Sequence, residues 1–427
     1  MIRFLGKSFF VLLPLALIMG GFFLIMRSEP KEIELLGSGV EPQATSSMAL
    51  KQIPKNLNGD IEFQNQLANP SKEIRAVYAT GWSAGSASAV DRLIKLIDET
   101  ELNAIVIDIK DYSGFLSYEI DNLIARDSGA LKEIRIVKPN TLIKKLHDKG
   151  IYVIARISVF QDSILSKAHP EWALANNLTN EPWTDKKGIR WMDAASKPVW
   201  DYTINIAKDA LARGFDEVNF DYIRFPSDGK LDQIKYPSWD GIREKNLVLK
   251  DFFAYLRKNL GEAKLSADLF GLVTIDETDL GIGQIVEDAF PYFDYIAPMI
   301  YPSHYASGIF GYKNPADHPY EVIRESLLSL NAKIKYFDTG FLAQNATGTR
   351  LAGSTSTLVA SISNTIPKQN LKRRAKIRPW LQDFDLGATY TGEMVRAQIT
   401  ASEELGNSGW MLWDPKNIYT RSALLPG

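Results

Sequence analysis

Acidic side chains occur near the ends of strand-like stretches of this chain. The most informative stretch is GFDEVNFDYIRFP, residues 214–226, whose centre alternates polar and apolar residues as a strand does. Asp221 shares one predicted face with Asn219, close to the end of that strand. A carboxylate on an apolar strand must be paired, solvated or catalytic, because burying an unpaired charge is costly. Asp221 is therefore the first candidate for a reacting group.

A second carboxylate, Asp268, lies late in the next predicted strand, within KLSADLFGLV. Hydrolysis of a glycosidic bond needs two carboxyl groups, one to protonate the leaving oxygen and one to act as nucleophile or to activate water. Adjacent strands lie roughly 4.8 Å apart, so two carboxyls at similar height would approach the ~5–5.5 Å separation of retaining enzymes. The alternative for Asp268 is a purely structural bond to backbone amides of the next loop.

Further polar and aromatic residues follow the other predicted strands, at the edge where parallel strands end. Aromatic rings offer flat apolar faces with polar tips that suit sugars, and the candidates for such stacking, at rim or loop positions, are Trp82, Trp183, Trp191 and Trp413. Arg156, Tyr301 and Gln382 are expected to orient substrate, whereas Asp108 with Arg156 has the alternative of a buried ion pair that fixes the interior. The candidate substrate-binding residues are Trp82, Asp108, Asp111, Tyr112, Arg156, Arg224, Tyr301, His304, Gln382, Asp383, Trp413 and Asp414.

Composition excludes several other chemistries. The sequence has no cysteine, which rules out disulfides, thiol catalysis and Cys-ligated metals. Its formal net charge of −2 provides no global basic field, so nucleic acid is not an expected partner. No metal or other cofactor is predicted, because the four histidines are dispersed: His147, His169, His304 and His318.

The elements that would position these residues alternate between strand and helix. Predicted helices cover residues 86–100, 139–149, 197–213, 243–260, 283–289, 320–330 and 392–405. The eight predicted strands cover residues 74–82, 104–111, 152–160, 218–225, 264–273, 295–301, 377–384 and 409–414. This pattern predicts an α/β fold, a (β/α)8 TIM barrel, with a doubly wound open sheet as the alternative. Eight strands and no Gly-rich phosphate fingerprint after the first favour the barrel.

The N-terminal part has a different character. Residues 9–26 carry no charge and would span roughly 27 Å as a helix, close to the thickness of a bilayer core. They are predicted to be a transmembrane anchor, with residues 1–8 cytoplasmic; a long cleaved signal peptide is the alternative. Residues 27–71 are polar without lasting periodicity and are interpreted as a flexible linker. The barrel, residues 72–427, would then lie outside the cytoplasm on a single-pass membrane protein, with an insertion at residues 331–376.

Six segments together resemble a known family. They are IRAVYATGWSAGS, IVIDIKDYSG, GFDEVNFDYIRFP, YIAPMIYPSHY, RPWLQDF and GWMLWDPKNIYT, in this order between Ile74 and Arg421. The resemblance is to a largely uncharacterised family of bacterial and archaeal glycosyl hydrolases, often exported or membrane-anchored. It implies a (β/α)8 barrel with a hydrolase-like site and says little about substrate.

A more distant likeness is to barrel glycosidases whose nucleophile ends the fourth strand and whose acid/base ends the fifth. Carried over, this implies Asp221 as nucleophile or charge stabiliser and Asp268 as acid/base. Asp383 or Asp414 could supply the acid instead. The expected function is hydrolysis of an envelope or extracellular polysaccharide. The alternatives are a non-catalytic glycan-binding barrel and a metal-dependent carbohydrate deacetylase using Asp108, Asp111 and a histidine.

Overall fold

The computed structural model describes residues 59–346 and 372–427, with the side chains of residues 340–346 not included. The predicted cytoplasmic N-terminus, the transmembrane anchor at residues 9–26 and most of the linker lie outside these ranges. Within them, no helix combines the length and apolar character that a membrane span requires.

In the described part of the chain, eight parallel strands form a closed barrel, as the strand–helix alternation predicts. Each strand pairs with the next along the chain, and the last pairs with the first. The strands are β1 Ile74–Ala79, β2 Ala104–Lys110, β3 Tyr152–Ser158, β4 Glu217–Asp221, β5 Lys264–Phe270, β6 Tyr295–Met299, β7 in two pieces, Lys376–Ile377 and Trp380–Gln382, and β8 Gly409–Trp413. Closure leaves no free sheet edge and gathers all eight strand ends around one mouth.

Alternate side chains of each strand point to opposite sides of the sheet. Outward residues such as Ile105 and Ile107 of β2 pack against the helices in the larger core cluster. Inward residues such as Val106 and Ile154 form a smaller cluster inside the barrel. Because β2 and β3 are buried on both faces, they read in the sequence as nearly continuous apolar runs.

Helices connect the strands and begin and end at recognisable residues. Ser86 and Thr391 cap two of them by accepting backbone N–H groups, and Gly214, with φ of 107°, ends a third as predicted. The described helices are α1 Gly81–Gly85, α2 Ala87–Asp98, α3 Leu123–Ser128, α4 Pro139–His147, α5 Ser163–Ala168, α6 Lys197–Arg213, α7 Lys245–Leu260, α8 Val286–Ala289, α9 Pro319–Ala346 and α10 Gly392–Glu404.

Strand β4 is shorter than its sequence pattern predicts. The alternation continues to residue 225, but the strand ends at Asp221. Tyr222 has φ of 53°, a left-handed conformation that takes the following residues out of the sheet. Asp221 therefore becomes the last strand residue, at the mouth of the barrel.

The first part of the predicted insertion belongs to helix α9. The sequence predicts a helix over residues 320–330 and an insertion over 331–376, whereas α9 runs to Ala346. Ile334 and Phe337 continue its apolar face and pack against the core, and Phe337 meets Phe290 edge-on at 5.3 Å. Residues 331–346 are thus helical, and residues 347–371 lie outside the described ranges.

The last part of the predicted linker contacts the barrel domain. Asp60 accepts hydrogen bonds from the backbone N–H groups of Asn140, at 2.6 Å, and Thr141, at 3.1 Å, at the start of α4. Leu67 donates its N–H to Asp216 at 2.6 Å, just before β4. The barrel domain therefore begins before residue 72, because these capping bonds tie residues 60–67 to it.

A small antiparallel sheet joins the loops that follow β3 and β4. It pairs Ala175–Asn176 with Ile234–Lys235. Two tryptophans of the first loop, Trp183 and Trp191, are only 3% and 1% exposed. Their sequence positions predict that both rings stack on sugars. This prediction is wrong, because the folded-back loop buries both rings.

Candidate active site

Arg156, near the end of β3, is the centre of a buried ionic cluster. Its Nη1 donates to Asp108 Oδ1 and its Nη2 donates to Asp221 Oδ2. Its Nε lies 3.7 Å from Asp268 Oδ2. None of the four side chains is more than 8% exposed. We call Arg156, Asp108, Asp221 and Asp268 the Arg156 cluster.

The register of the sheet explains why Asp221 and Asp268 meet. In the pairing of β4 with β5, Phe220 is opposite Ala267. The residues that follow, Asp221 and Asp268, are therefore at the same level on adjacent strands, whose backbones lie roughly 4.8 Å apart. Asn219 and Ser266 face the barrel interior, where their side chains are hydrogen-bonded to each other. Asp221 and Asp268 each lie two residues further along the same strands, so their side chains also point inward.

Asp268 occupies the most enclosed position of the cluster. Its Oδ1 accepts hydrogen bonds of 2.8 Å from Asn219 Nδ2 and from Trp380 Nε1. Burial, and next the negative charge of Asp221, raise the pKa of Asp268 to about 8. One guanidinium faces three carboxyl groups, so a proton held on Asp268 at neutral pH reduces the excess negative charge.

Asp108 is held on its other side by an aromatic wall. Tyr78 donates its hydroxyl to Asp108 Oδ2 at 2.5 Å, and the Tyr78 ring stacks on Trp413 at 3.9 Å. The Arg156 guanidinium lies 5.0 Å from the centroid of the Trp413 ring. The ion pair of Asp108 with Arg156, one of the two interpretations of these residues, is present in the structure.

Tyr301 and His304 follow β6 beside the same cluster. The buried Tyr301 meets His304 edge-on at 5.2 Å and Phe384 at 5.7 Å. Its pKa is raised mainly by burial and next by the charges of Asp268 and Asp221. The phenol of Tyr301 is therefore close to the carboxyl pair, whereas His304 lies at the exposed rim.

Trp82 and Tyr112 form an exposed aromatic part of the rim after β1 and β2. Their exposed fractions are 60% and 54%. Arg135 lies 5.0 Å from the Trp82 ring centroid and forms an ion pair with Asp111. Asp111 also accepts the backbone N–H of Ser113 at 2.9 Å. Asp111 thus shapes this rim and has no hydrogen bond to the Arg156 cluster among the described residues.

Gln382, expected to orient substrate, already has its amide group bonded to neighbouring loops. Its Oε1 accepts the hydroxyl of Ser303 at 2.8 Å, and its Nε2 donates to the carbonyl of Phe384 at 2.9 Å. The residue is fully buried. Its contacts hold the loops after β6 and β7 together.

Asp383 and Asp414 line a separate groove of about 280 Å³ at the ends of β7 and β8. Asp383 accepts the backbone N–H and hydroxyl of Thr420 at 2.9 and 2.6 Å, and burial raises its pKa to about 6. Asp414 accepts the backbone N–H of Lys416 at 2.5 Å. Asp383 thus holds the loop that follows β8, Asp414 caps its own loop, and neither carboxyl is hydrogen-bonded to Arg156.

Arg224 is buried just beyond β4. Its Nη1 donates to the carbonyl of Phe225 at 3.1 Å and to Ser227 Oγ at 3.2 Å. The ring centroids of Trp191 and Phe270 lie 4.7 and 4.6 Å from its guanidinium carbon. This arginine therefore lies among aromatic rings, and the charge of Asp221 acts on it.

Three residues of the site were not among those predicted from the sequence: Tyr78, Asn219 and Trp380. Asn219 precedes Asp221 by two residues on the same strand face, and Tyr78 is the penultimate residue of β1, so strand periodicity contains a signal for both. Trp380 reads as a core residue, and it is indeed buried. Its bond to Asp268 depends on β5 and β7 facing each other inside the closed barrel, which no local pattern reveals.

The metal site of the deacetylase alternative is not assembled in the described part of the chain. Asp108 bonds Arg156 and Tyr78, whereas Asp111 bonds Arg135. Over residues 59–346 and 372–427, no group of three His, Asp or Glu side chains has the arrangement of a metal site.

Comparison with known proteins identifies the family. The family described as "Putative glycosyl hydrolase domain" matches residues 76–342 and 341–419. The chain belongs to this family, and its class is that of the glycoside hydrolases with a TIM barrel. None of the curated proteins is similar to it in sequence.

One solved structure shares the architecture of this chain. The glycoside hydrolase domain of PgaB (BpsB) from Bordetella bronchiseptica is 14% identical, with a TM-score of 0.54 over 83% of this chain and 99% of its own. At this identity the likeness shows the fold alone. A hypothetical protein from Ruminiclostridium thermocellum is 37% identical over 45% of this chain and 96% of its own, with a TM-score of 0.42. The glycoside hydrolase domain of PelA from Pseudomonas aeruginosa is 12% identical over 84% and 98%, with a TM-score of 0.41.

Proposed function

We propose that this chain hydrolyses glycosidic bonds of an envelope or extracellular polysaccharide, with Asp268 as acid/base and Asp221 as nucleophile or charge stabiliser. The observation that supports this most is the in-register pair on β4 and β5, whose two members have different surroundings. Asp221 is bonded to a guanidinium, whereas Asp268 is enclosed and its pKa is raised to about 8. Two carboxyls in contrasting environments are the usual basis for dividing acid and base roles.

The hydrogen bonds around Asp268 indicate which oxygen would carry the proton. Oδ1 already accepts two N–H groups, from Asn219 and Trp380, so the proton belongs on Oδ2. In the proposed first step, Oδ2 donates this proton to the leaving oxygen as the glycosidic bond breaks. Asp221 attacks the anomeric carbon or stabilises its positive charge, and water then completes hydrolysis with Asp268 as base.

The substrate class and location are supported by different features. Trp82 and Tyr112 expose aromatic faces at the rim, where the sugars of a long chain would stack. The uncharged run at residues 9–26 supports a membrane anchor with the barrel outside the cytoplasm. Both statements are part of the proposal, as is the assignment of Trp413 and Tyr301 to the walls of the sugar site.

Hydrolysis of a polysaccharide panel by wild type, Asp221→Asn and Asp268→Asn tests the proposal. We expect products from wild type and a large loss in both variants. Asp148→Asn is the matched control, because Asp148 is an exposed carboxylate in an i,i+4 ion pair with Lys144. Full activity in a folded Asp221→Asn protein would reject the assigned role.

Non-catalytic glycan binding is the second candidate, and one observation favours it. The side chain of Asp268 is only 1% exposed, so a sugar oxygen can reach it only if the wall residues move. If the panel shows binding without products, and binding is equal in wild type and both variants, this second function replaces the first. The anomeric configuration of any product, followed by proton NMR, separately tests the retaining spacing.

A further inference from the structure

Arg224 differs from the other buried arginines of the described residues. Five arginines are buried there, and four of them form ion pairs with carboxylates: Arg135, Arg156, Arg213 and Arg378. Arg224 is 7% exposed and has no carboxylate within ion-pair distance in the described ranges. A buried charge normally has a partner, because its desolvation is costly. The partner of Arg224 is thus to be sought outside the described residues.

The hydrogen bonds of Arg224 leave donors free. Nη1 is bonded to Phe225 and Ser227, whereas Nε and Nη2 have no hydrogen-bond partner among the described residues. The rings of Trp191, Phe270 and Tyr222 lie 4.7, 4.6 and 5.5 Å from the guanidinium carbon. These rings stabilise the cation, but they accept no strong hydrogen bond.

Carboxylates in the wider surroundings are already bonded elsewhere. Asp185 accepts four N–H groups, from two side chains and two backbone amides of its own region. Asp228 accepts the N–H of Lys186 at 3.0 Å, and Asp221 is paired with Arg156. Their charges act on Arg224 from a distance without forming a direct bond, so the guanidinium can still bind an incoming anion.

The position of Arg224 connects it to the carboxyl pair. It follows Asp221 by three residues, and Phe270 follows Asp268 by two. The segment is held in place by the bond from the Phe225 N–H to the Ile282 carbonyl at 2.9 Å. An anion bound at Nε and Nη2 would therefore belong to the sugar in the active site or to its immediate neighbour.

We propose that Arg224 binds an acidic substituent of the glycan, and that the substrate is an acidic polysaccharide containing uronic acid. This inference rests on the proposed function of the same site. A guanidinium with two adjacent free N–H groups matches the two oxygens of a planar carboxylate. Sulfate and phosphate esters share this chemistry, so the test includes both.

The test compares acidic oligosaccharides with their neutral counterparts. Oligomers of galacturonic, glucuronic and mannuronic acid are each paired with the carboxyl-reduced form, and one sulfated and one phosphorylated oligosaccharide are added. Binding constants and product formation are measured in the same samples of the full chain. The variants are Arg224→Met, which keeps the length and removes the charge, and Arg224→Lys, which keeps the charge. Arg324→Gln, on the outer helix α9, is the control, and thermal unfolding checks the fold of each.

We expect wild type to prefer at least one uronate oligomer over its reduced form, by on the order of 10- to 100-fold in Kd or kcat/KM. Arg224→Met should abolish this preference, Arg224→Lys should keep part of it, and Arg324→Gln should keep all of it. Equal use of acidic and reduced forms by wild type overturns the inference. So does a preference that survives in folded Arg224→Met, or a lack of binding to every acidic oligomer.

Two outcomes separate this inference from the proposed function. Arg224-dependent binding of uronates without any hydrolysis would support the anion site and reject the hydrolase. Hydrolysis confined to neutral glycans would support the hydrolase and reject the anion site. A preference for only the sulfated or phosphorylated member would overturn the uronic acid assignment.

Discussion

One strand carries two buried carboxylates with different surroundings. Glu217, at the start of β4, forms an ion pair with Arg378 of the loop within β7, and both side chains are completely buried. Asp221, at the end of the same strand, belongs to the Arg156 cluster. The first site has one carboxylate for one guanidinium, whereas the Arg156 cluster has three carboxyl groups for one guanidinium. Stoichiometry and position together distinguish this one-to-one ion pair from the Arg156 cluster, which we propose to be the catalytic site.

The surroundings of Glu217 are those of a sealed interior. Tyr152 donates its hydroxyl to Glu217 Oε2 at 3.3 Å, and the Tyr295 ring lies 4.1 Å from the Arg378 guanidinium carbon. In barrels of this class the N-terminal ends of the strands contribute stability and the C-terminal ends carry chemistry. The Glu217–Arg378 pair therefore serves as an internal reference for the Arg156 cluster.

The largest effect is expected from Asp221→Asn. We expect at least a ~1,000-fold loss of kcat with the fold intact, because the reacting carboxylate is removed and its shape is kept. Turnover of a cleaved polysaccharide and circular dichroism are the measurements. Glu217→Gln on the same strand should cost stability instead, and a comparable loss of kcat there would erase the contrast between the two sites.

Asp268→Asn should lower kcat by about 100- to 10,000-fold on a natural glycan, because the general acid is lost. The loss should be much smaller on an aryl glycoside whose leaving group needs no proton. Comparing the two substrates with the same variant measures this difference. An equal loss on both would mean that Asp268 acts by shaping the site rather than by donating a proton.

Glu217→Ala should destabilise the fold by about 3–5 kcal/mol, because it leaves the Arg378 charge buried and unpaired. Denaturant unfolding of wild type and variant gives this difference. Replacing both partners, as Glu217→Leu with Arg378→Met, should recover most of the stability. kcat/KM of the folded protein should be unchanged, and a selective loss of activity would tie the pair to catalysis.

Activity should fall as pH rises through about 8, where Asp268 loses its proton. The pKa of Asp268 is higher in the folded state than in an unfolded chain, about 3.9. Its contribution to stability is thus complete below pH ~4 and is lost as pH rises through its folded pKa. Kinetic and unfolding profiles from pH 4 to 9 test this, and Asp268→Asn should remove the slope in stability. If the alkaline decrease in activity is centred far from pH 8, a group other than Asp268 causes it.

Trp380→Phe should produce the smallest effect. It removes one of the two N–H donors to Asp268 Oδ1, and these donors favour the ionised form. The pKa of Asp268 should therefore rise further, moving the alkaline limb upward by less than about one pH unit. A downward shift in the pH–rate profile would mean that this bond does not stabilise the carboxylate.

Much of the fold could be predicted from local patterns. Helix α6 has the predicted bounds, and strands β2 and β3 begin at the predicted residues, because buried parallel strands are apolar on both faces. The C-terminal part of α9 was not predicted, since its Gly-, Ser- and Thr-rich continuation obscures the helical period. No local pattern indicates that residues 60–67 belong to the barrel domain, because their contacts are with α4 and with the residue before β4, far along the chain.

The sequence by itself determined the strand–helix alternation, the family and the choice of Asp221 and Asp268 as the leading carboxyls, because all three are written in local residue order. Only the tertiary structure decided what surrounds each carboxyl. The Arg156 cluster, the Trp380 bond and the unpaired charge of Arg224 arise from strand register and barrel closure, which bring together residues from different strands. The pKa of a side chain follows from those neighbours and from burial, so it cannot be deduced from the strand that carries it.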